Sequence, residues 1–311
     1  MVYRLASGLY PFAFLANLLV FLFRRSSQYD VIHVHTLNSP FIAATIAGFV
    51  LRKPVVVKVT RSGTGAQLSR YHASWRKIVG APVFRHVSRF VAITQDVKGE
   101  LLFHGVSPRK ITEIPNGVLL PEQPHKPDPS SGCRFIYVGR LIRRKRVDLL
   151  LHAWAEGGLD RIATLRIVGD GPERARLEDM VEHLGLAASV TLSGAYKHTE
   201  LMQLMADSDV FVLPSDSEGM SNALLEAMAY GLGVIATRLA ANRTLIGEGV
   251  NGLLFSGREE LAEALRQLGR SPELRAELGA RARQTISERY SFARIASDYR
   301  RLYEELLASA G

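Results

Sequence analysis

Short apolar runs recur along this chain, each ending in a small or polar turn and followed by a longer stretch with helical spacing. Residues 29–35, 54–60, 90–94 and 110–115 form a first series. Residues 134–139, 164–168, 190–193, 210–214, 234–237 and 252–255 form a second. The runs are rich in β-branched residues and nearly continuous, the pattern of parallel strands buried on both faces. Between them the spacing predicts helices over 9–23, 39–51 (with Pro40 in the first turn), 96–104, 147–156, 173–183 and 200–206. Residues 259–308 read as helices broken near Pro272 and Ser291. Strands alternating with helices imply parallel sheets joined by right-handed crossovers. Residues 119–132 separate the two series. They carry Pro121, Pro124, Pro127 and Pro129 and no periodicity, so they are expected to be a linker. The expected organisation is therefore two Rossmann-like domains, 1–118 and 133–290. A C-terminal helix over 291–311 could pack back on the first.

Composition changes this picture little. The chain has 311 residues, enough for two ordinary domains, and 47% are hydrophobic. The formal charge of +9 favours anionic partners without choosing among phosphates, acidic lipid and nucleic acid. The single cysteine, Cys133, excludes an intramolecular disulfide and fits a reducing compartment. No Cys or His cluster has zinc spacing. His33 and His35 alternate along a strand, so they face one side, and they read as strand histidines satisfied by their neighbours.

Three stretches keep two readings. Residues 9–23 are strongly apolar and closed by Arg24 and Arg25, but fall short of the ~20 residues that span a bilayer. They form either a buried helix on a sheet or a helix on a membrane surface. Residues 61–65, with Arg61, Gly63 and Gly65, follow a strand and are either a phosphate-type loop or an ordinary turn. Residues 68–87 mix Arg70, Arg76, Lys77, Arg85 and His86 with Tyr71, Trp75 and Phe84. They are either a charged outer face or a patch for acidic lipid or a lipid-linked phosphate.

The chemistry gathers in the second series. Glu218 lies in the turn after the strand at 210–214, and Glu226 lies inside the following helix. Between them Gly219 permits close backbone approach, Met220 follows, and Ser221 is placed to cap the helix. The first turn of that helix can hold an anion. Glu226 suits neutral hydroxyls beside that anion, such as those of a ribose. Gly139 and Arg140 end another strand, and Lys145 follows. Arg140 as a fork and Lys145 as a point charge could hold two phosphates, although the cationic run 143–146 leaves the individual assignment open. The turn at Gly169, Asp170, Gly171 and Pro172 ends the next strand, and Tyr196 could flank a base or lie on the surface.

These residues resemble glycosyltransferase family 4. The resemblance rests on Gly139, Arg140 and Leu141 with Lys145; on Val168 to Pro172; on Leu213, Pro214 and Ser215; and on Glu218 and Glu226 followed by Ala227, Met228 and Ala229. Ile114, Pro115, Asn116, Gly117 and Val118 add to it, and it runs from about residue 29 to the C-terminus. It implies a GT-B fold, α/β with two Rossmann-like domains facing across a cleft. It also implies transfer of a sugar from a nucleotide-diphosphate sugar to a glycan or lipid-linked acceptor. Retention at the anomeric carbon and no bound metal or further cofactor follow from the same likeness. Carried over, Arg140 and Lys145 neutralise the leaving diphosphate, Glu226 binds ribose and Glu218 touches the donor sugar. Gly139, Gly219, Met220 and Ser221 support sugar or phosphate.

The expected setting is cell-surface polysaccharide synthesis in the cytoplasm, with peripheral contact at the inner face of the membrane and no nucleic-acid partner. Three departures stand out. The usual N-terminal strand and glycine-rich loop are missing, so the first domain is expected to be incomplete. Thr60 stands where many members carry histidine, and Gly233 where proline is usual. The first departure supports an alternative: an impaired nucleotide-sugar-binding module, or half of a complex whose partner supplies the missing elements.

Overall fold

The computed structural model describes residues 11–35, 37, 39–60, 84–122, 125 and 132–309. The chain divides into two units, Met1–Asn116 with Ile295–Gly311, and Gly117–Arg294. The glycine loop at 61–65 and most of the basic stretch 68–87 lie outside the described residues.

The first unit holds a parallel sheet of β1 (Ile32–Val34), β2 (Val55–Val59), β3 (Arg89–Ala92) and β4 (Ile111–Glu113), paired in that order. Val55, Val56, Val57 and Val59 are fully buried, which explains why the run reads as apolar throughout rather than alternating. Helices α1 (Pro11–Arg24) and α2 (Ser39–Leu51) pack against each other, and α2 also lies on β1 and β2. Helix α3 (Gln95–Phe103) is capped by Thr94, whose Oγ1 accepts from the Val97 N–H at 3.3 Å. One face of the sheet, at Val56, Val91 and Ile114, is covered by Ile295, Leu302 and Leu306 of the C-terminal helix.

The second unit is built on six parallel strands: β5 (Cys133–Val138), β6 (Ala163–Val168), β7 (Val190–Gly194), β8 (Val210–Leu213), β9 (Gly233–Thr237) and β10 (Leu253–Phe255). Their order is β10-β9-β8-β5-β6-β7. The chain thus winds outward from β5 through β6 and β7, returns to the other side of β5 for β8, and winds outward again. The topological switch point lies between β5 and β8, and ligands of open α/β sheets bind beyond the carboxyl ends of the strands at such a point.

Helices α4 (Val147–Gly157), α5 (Arg174–His183), α6 (His198–Ala206), α7 (Asn222–Tyr230), α8 (Ala240–Arg243), α9 (Arg258–Arg270) and α10 (Pro272–Arg289) make the crossovers and the C-terminal layer. Trp154 anchors the core edge-on to Phe135 at 5.1 Å, and its indole N–H donates to Ser189 Oγ at 3.1 Å. Helix α11 (Phe292–Ala308) contributes residues from Ile295 onward to the first unit.

The units divide at 116/117 and 294/295, a few residues from the expected boundaries. The proline-rich segment departs further from its description as a linker. Where it is described, it is tied into the second unit. The His125 ring is almost fully buried, bonded to the Ala206 carbonyl at 2.8 Å and to Asp209 at 2.9 Å. Arg134 completes the arrangement by giving its backbone N–H to the other Asp209 oxygen at 2.7 Å.

Candidate active site

The site grows out of the switch point. Beyond β5 the chain runs through Gly139 and Arg140 into a 3-10 turn, Arg143–Lys145. Beyond β8 it runs through Pro214 to Ser221 before α7 begins. Because β5 and β8 are hydrogen-bonded neighbours, these two loops meet although some 70 residues separate them. The Asp216 N–H donates to the Arg144 carbonyl at 2.8 Å, and the Arg144 guanidinium donates to the Ser217 carbonyl at 3.0 Å. Arg146 reaches Asp216 at 3.0 Å. The Lys145 ammonium pairs with Glu218, both side chains being largely buried.

Arg146 occupies the left-handed region, φ 48°, which costs a non-glycine residue about 1–2 kcal/mol. That conformation ends the 3-10 turn and starts α4, and ion pairs to Asp148 and Asp216 hold it. The loop after β6 backs this turn. Gly169 and Gly171 have φ of 142° and 159°, and a Cβ at either would lie 1.9 Å from the Gly139 carbonyl oxygen or 2.3 Å from that of Leu141. Only glycine lets the two loops approach so closely. The Leu141 N–H then donates to the Asp170 carbonyl at 2.9 Å.

Helix α7 starts as expected at a Ser221 cap, its Oγ accepting from the Leu224 N–H at 3.3 Å. Met220 and Ser221 are buried, Gly219 half-buried. One turn on, Glu226 enters a cavity of about 450 Å³ lined also by Glu122, His198, Met202, Asn222, Tyr230 and Phe292. Burial raises the Glu226 carboxyl above its ordinary range, against a smaller opposing pull from His198. Burial, with Glu218 adding to it, likewise raises the Tyr137 phenol; its hydroxyl donates to the Arg140 carbonyl at 3.3 Å.

The structure therefore joins some predicted residues and separates others. Lys145 and Glu218 touch, and Gly219, Met220 and Ser221 lead directly into the capped helix. Arg140 is exposed, and no salt bridge engages it among the described residues. Glu226 lines the cavity of about 450 Å³, and neither Lys145 nor Glu218 is among its lining residues. Arg144, Arg146 and Asp216, which brace the turn, and His198, which faces Glu226, were not singled out from the sequence. Glu226 and His198 come from different helices, and no spacing rule links them.

Two parallel α/β units of this kind, with a site at the switch point of the second, define the GT-B fold. Residues 123–285, more than half of the chain, match the family described as glycosyl transferases group 1. Residues 2–122 match glycosyltransferase family 4. The chain belongs to the group 1 glycosyltransferases.

It is 31% identical over 283 residues to a D-inositol 3-phosphate glycosyltransferase of Frankia alni, covering 82% of this chain and 69% of that one. It is 32% identical over 175 residues to an N-acetyl-alpha-D-glucosaminyl L-malate synthase of Bacillus anthracis, covering 56% of this chain and 45% of that one. Among solved structures, Anabaena Alr3699/HepE in complex with UDP superposes with a TM-score of 0.80 at 21% identity, over 94% of this chain and 82% of that one.

Proposed function

We propose that this chain transfers a sugar, with retention and without a metal, from a nucleotide-diphosphate sugar to a glycan or lipid-linked acceptor in cell-surface polysaccharide synthesis. The observation that carries this reading is the meeting of Lys145 with Glu218 where the β5 and β8 loops come together, beside a helix opened by Ser221. A leaving diphosphate develops negative charge as the glycosidic bond breaks. Lys145 and exposed Arg140 are the cations on the β5 side that would stabilise it. The α7 N-terminus supplies further N–H donors. Glu226, set one turn into α7, accepts hydrogen bonds from the ribose hydroxyls, and Glu218 accepts from hydroxyls of the donor sugar. The related proteins act on sugars by name, and the Anabaena structure contains UDP.

A place at the inner face of the membrane is part of the same proposal. Val20 and Phe23 of α1 and Ile46, Phe49 and Val50 of α2 are exposed, and Arg24, Arg25 and Arg52 are exposed nearby in sequence. No helix among the described residues is long and apolar enough to cross a membrane. The test is to incubate purified protein with a panel of UDP-, GDP- and ADP-sugars and follow hydrolysis or transfer. One class of donor should be consumed, with the anomeric configuration of the product unchanged. Consumption of no donor, or an inverted product, would contradict the proposal.

A further inference from the structure

The first unit contains a group of half-buried donors, with exposed His35 beside them, that the donor site does not use. His33 on β1 pairs in register with Val56 on β2, so His35 and Lys58 are the next positions along and share that sheet face. The His33 and His35 rings stack at 4.3 Å. From α11, Tyr303 bonds its hydroxyl to His33 Nδ1 at 2.7 Å, and the Tyr299 ring lies 5.2 Å from His33 and 5.9 Å from the Lys58 ammonium. In the tautomer in which Nδ1 accepts from the Tyr303 hydroxyl, His33 Nε2 carries the proton. That nitrogen and the Tyr299 hydroxyl are both buried, and neither has a hydrogen-bond partner among the described residues.

Lys58 makes no salt bridge among the described residues, and the sequence explains why. Residues 1–95 hold twelve Lys or Arg but one acid, Asp30, and Asp30 lies 3.9 Å from Lys53. Among the acids of α11, Asp298 pairs with Arg301 at 3.3 Å, and Glu304 and Glu305 are exposed. Arg89, on the same sheet face, is bonded to Thr112 at 3.2 Å.

Buried donors are normally paired, and a partly buried ammonium needs a counter-charge. Here a cation, two imidazoles and a phenol converge with no acceptor for Lys58, His33 Nε2 or Tyr299 among the described residues. They do so at the carboxyl ends of neighbouring parallel strands, where ligands of open α/β sheets bind. We propose that Lys58, His33, His35 and Tyr299 form an oxyanion site for a phosphate group. An oxyanion offers several acceptors at once, which satisfies Lys58, His33 Nε2 and Tyr299 together, with exposed His35 at the rim. Its natural occupant is an anionic group of the acceptor, an assignment that rests on the transferase reading above; the site itself does not. Burial, and then Lys58, lowers the His35 pKa, so a bound anion must raise it again.

The experiment follows the histidine ring signals of the full chain by NMR while inorganic phosphate is added at constant ionic strength. A parallel series uses phosphatidylglycerol vesicles. The expected result is a saturable shift, a higher His35 titration midpoint, and affinity at least ~10-fold weaker in Lys58→Gln. His35→Gln, an exposed change that the fold should tolerate, should weaken binding in the same direction. A Lys58-dependent response to soluble phosphate assigns a free phosphorylated ligand. A Lys58-dependent response to vesicles alone assigns a lipid phosphate. No response to either, or a response unchanged in both variants, overturns the site. UDP binding in the same samples reports separately on the donor site, so the two readings fail independently.

Discussion

At the scale of single residues, Lys145 has two claims on its charge. Glu218 neutralises it in the structure, and the leaving diphosphate must share or replace that carboxylate. Glu218→Gln therefore should have opposite effects on two readouts. UDP should bind several-fold more tightly, because Lys145 no longer has a competing anion, while sugar transfer should fall by roughly 10²-fold or more. Calorimetry and initial rates check this; equal losses in both would contradict the shared role. Lys145→Met leaves Glu218 buried without a counter-charge and should destabilise the second unit by about 3 kcal/mol, read by urea denaturation.

The sequence placed both residues near a sugar nucleotide but assigned them separate partners. Their contact depends on β5 and β8 being neighbours, and strand order leaves no trace in hydrophobic periodicity. The Ser221 cap, a local feature, was legible from residue type and position alone.

At the scale of elements, two buried polar contacts fasten segments whose sequence suggests looseness. His125 sits in a proline-rich stretch that reads as a linker, yet both of its ring nitrogens are engaged. Composition cannot reveal this, because the partner Asp209 lies 84 residues away. Asp209 loses solvation on burial, but hydrogen bonds from His125 and Arg134 outweigh that cost and hold its pKa down at about 2. The folded value lies below the unfolded one near 3.8, so this contribution is complete above pH ~4. It disappears as pH falls towards 2, a loss of about 2 kcal/mol.

His33 opens a second window. Burial, reinforced by His35 and Lys58, lowers it to about 4 from 6.5. The unfolded chain then takes up the proton first, so stability falls between pH ~6.5 and ~4, by at most ~3 kcal/mol. Urea midpoints measured from pH 7 to pH 3 should show both declines. His33→Gln should reduce the upper one, leaving only the share that His35 contributes, and leave the lower. A flat profile in the wild type from pH 7 to 4 would contradict the His33 assignment.

At the scale of the whole molecule, charge is divided unevenly. Residues 1–95 carry a surplus of eleven positive charges, more than the +9 of the entire chain, so the remainder is slightly acidic. Association with vesicles rich in anionic lipid should therefore weaken markedly between 50 and 500 mM salt. UDP binding, which relies on half-buried Lys145 and Glu226 besides exposed Arg140, should change less. Co-sedimentation and calorimetry at the two salt levels test the contrast.

The parallel α/β class and the division into two units were legible from the alternation of apolar runs with helical spacing. The oxyanion cluster was not. His33 and His35 alternate visibly, but Lys58, Tyr299 and Tyr303 join them only through strand register and the docking of α11 in the first unit. The central claim, a nucleotide-diphosphate site at the switch point of the second unit, is tested most directly by calorimetric titration of UDP and GDP into the wild type and the Arg140→Ala and Glu226→Ala variants. The account predicts one site per chain for one of the two nucleotides, weakened at least ~10-fold in each variant. Binding that is absent, or unchanged in both variants, would contradict it.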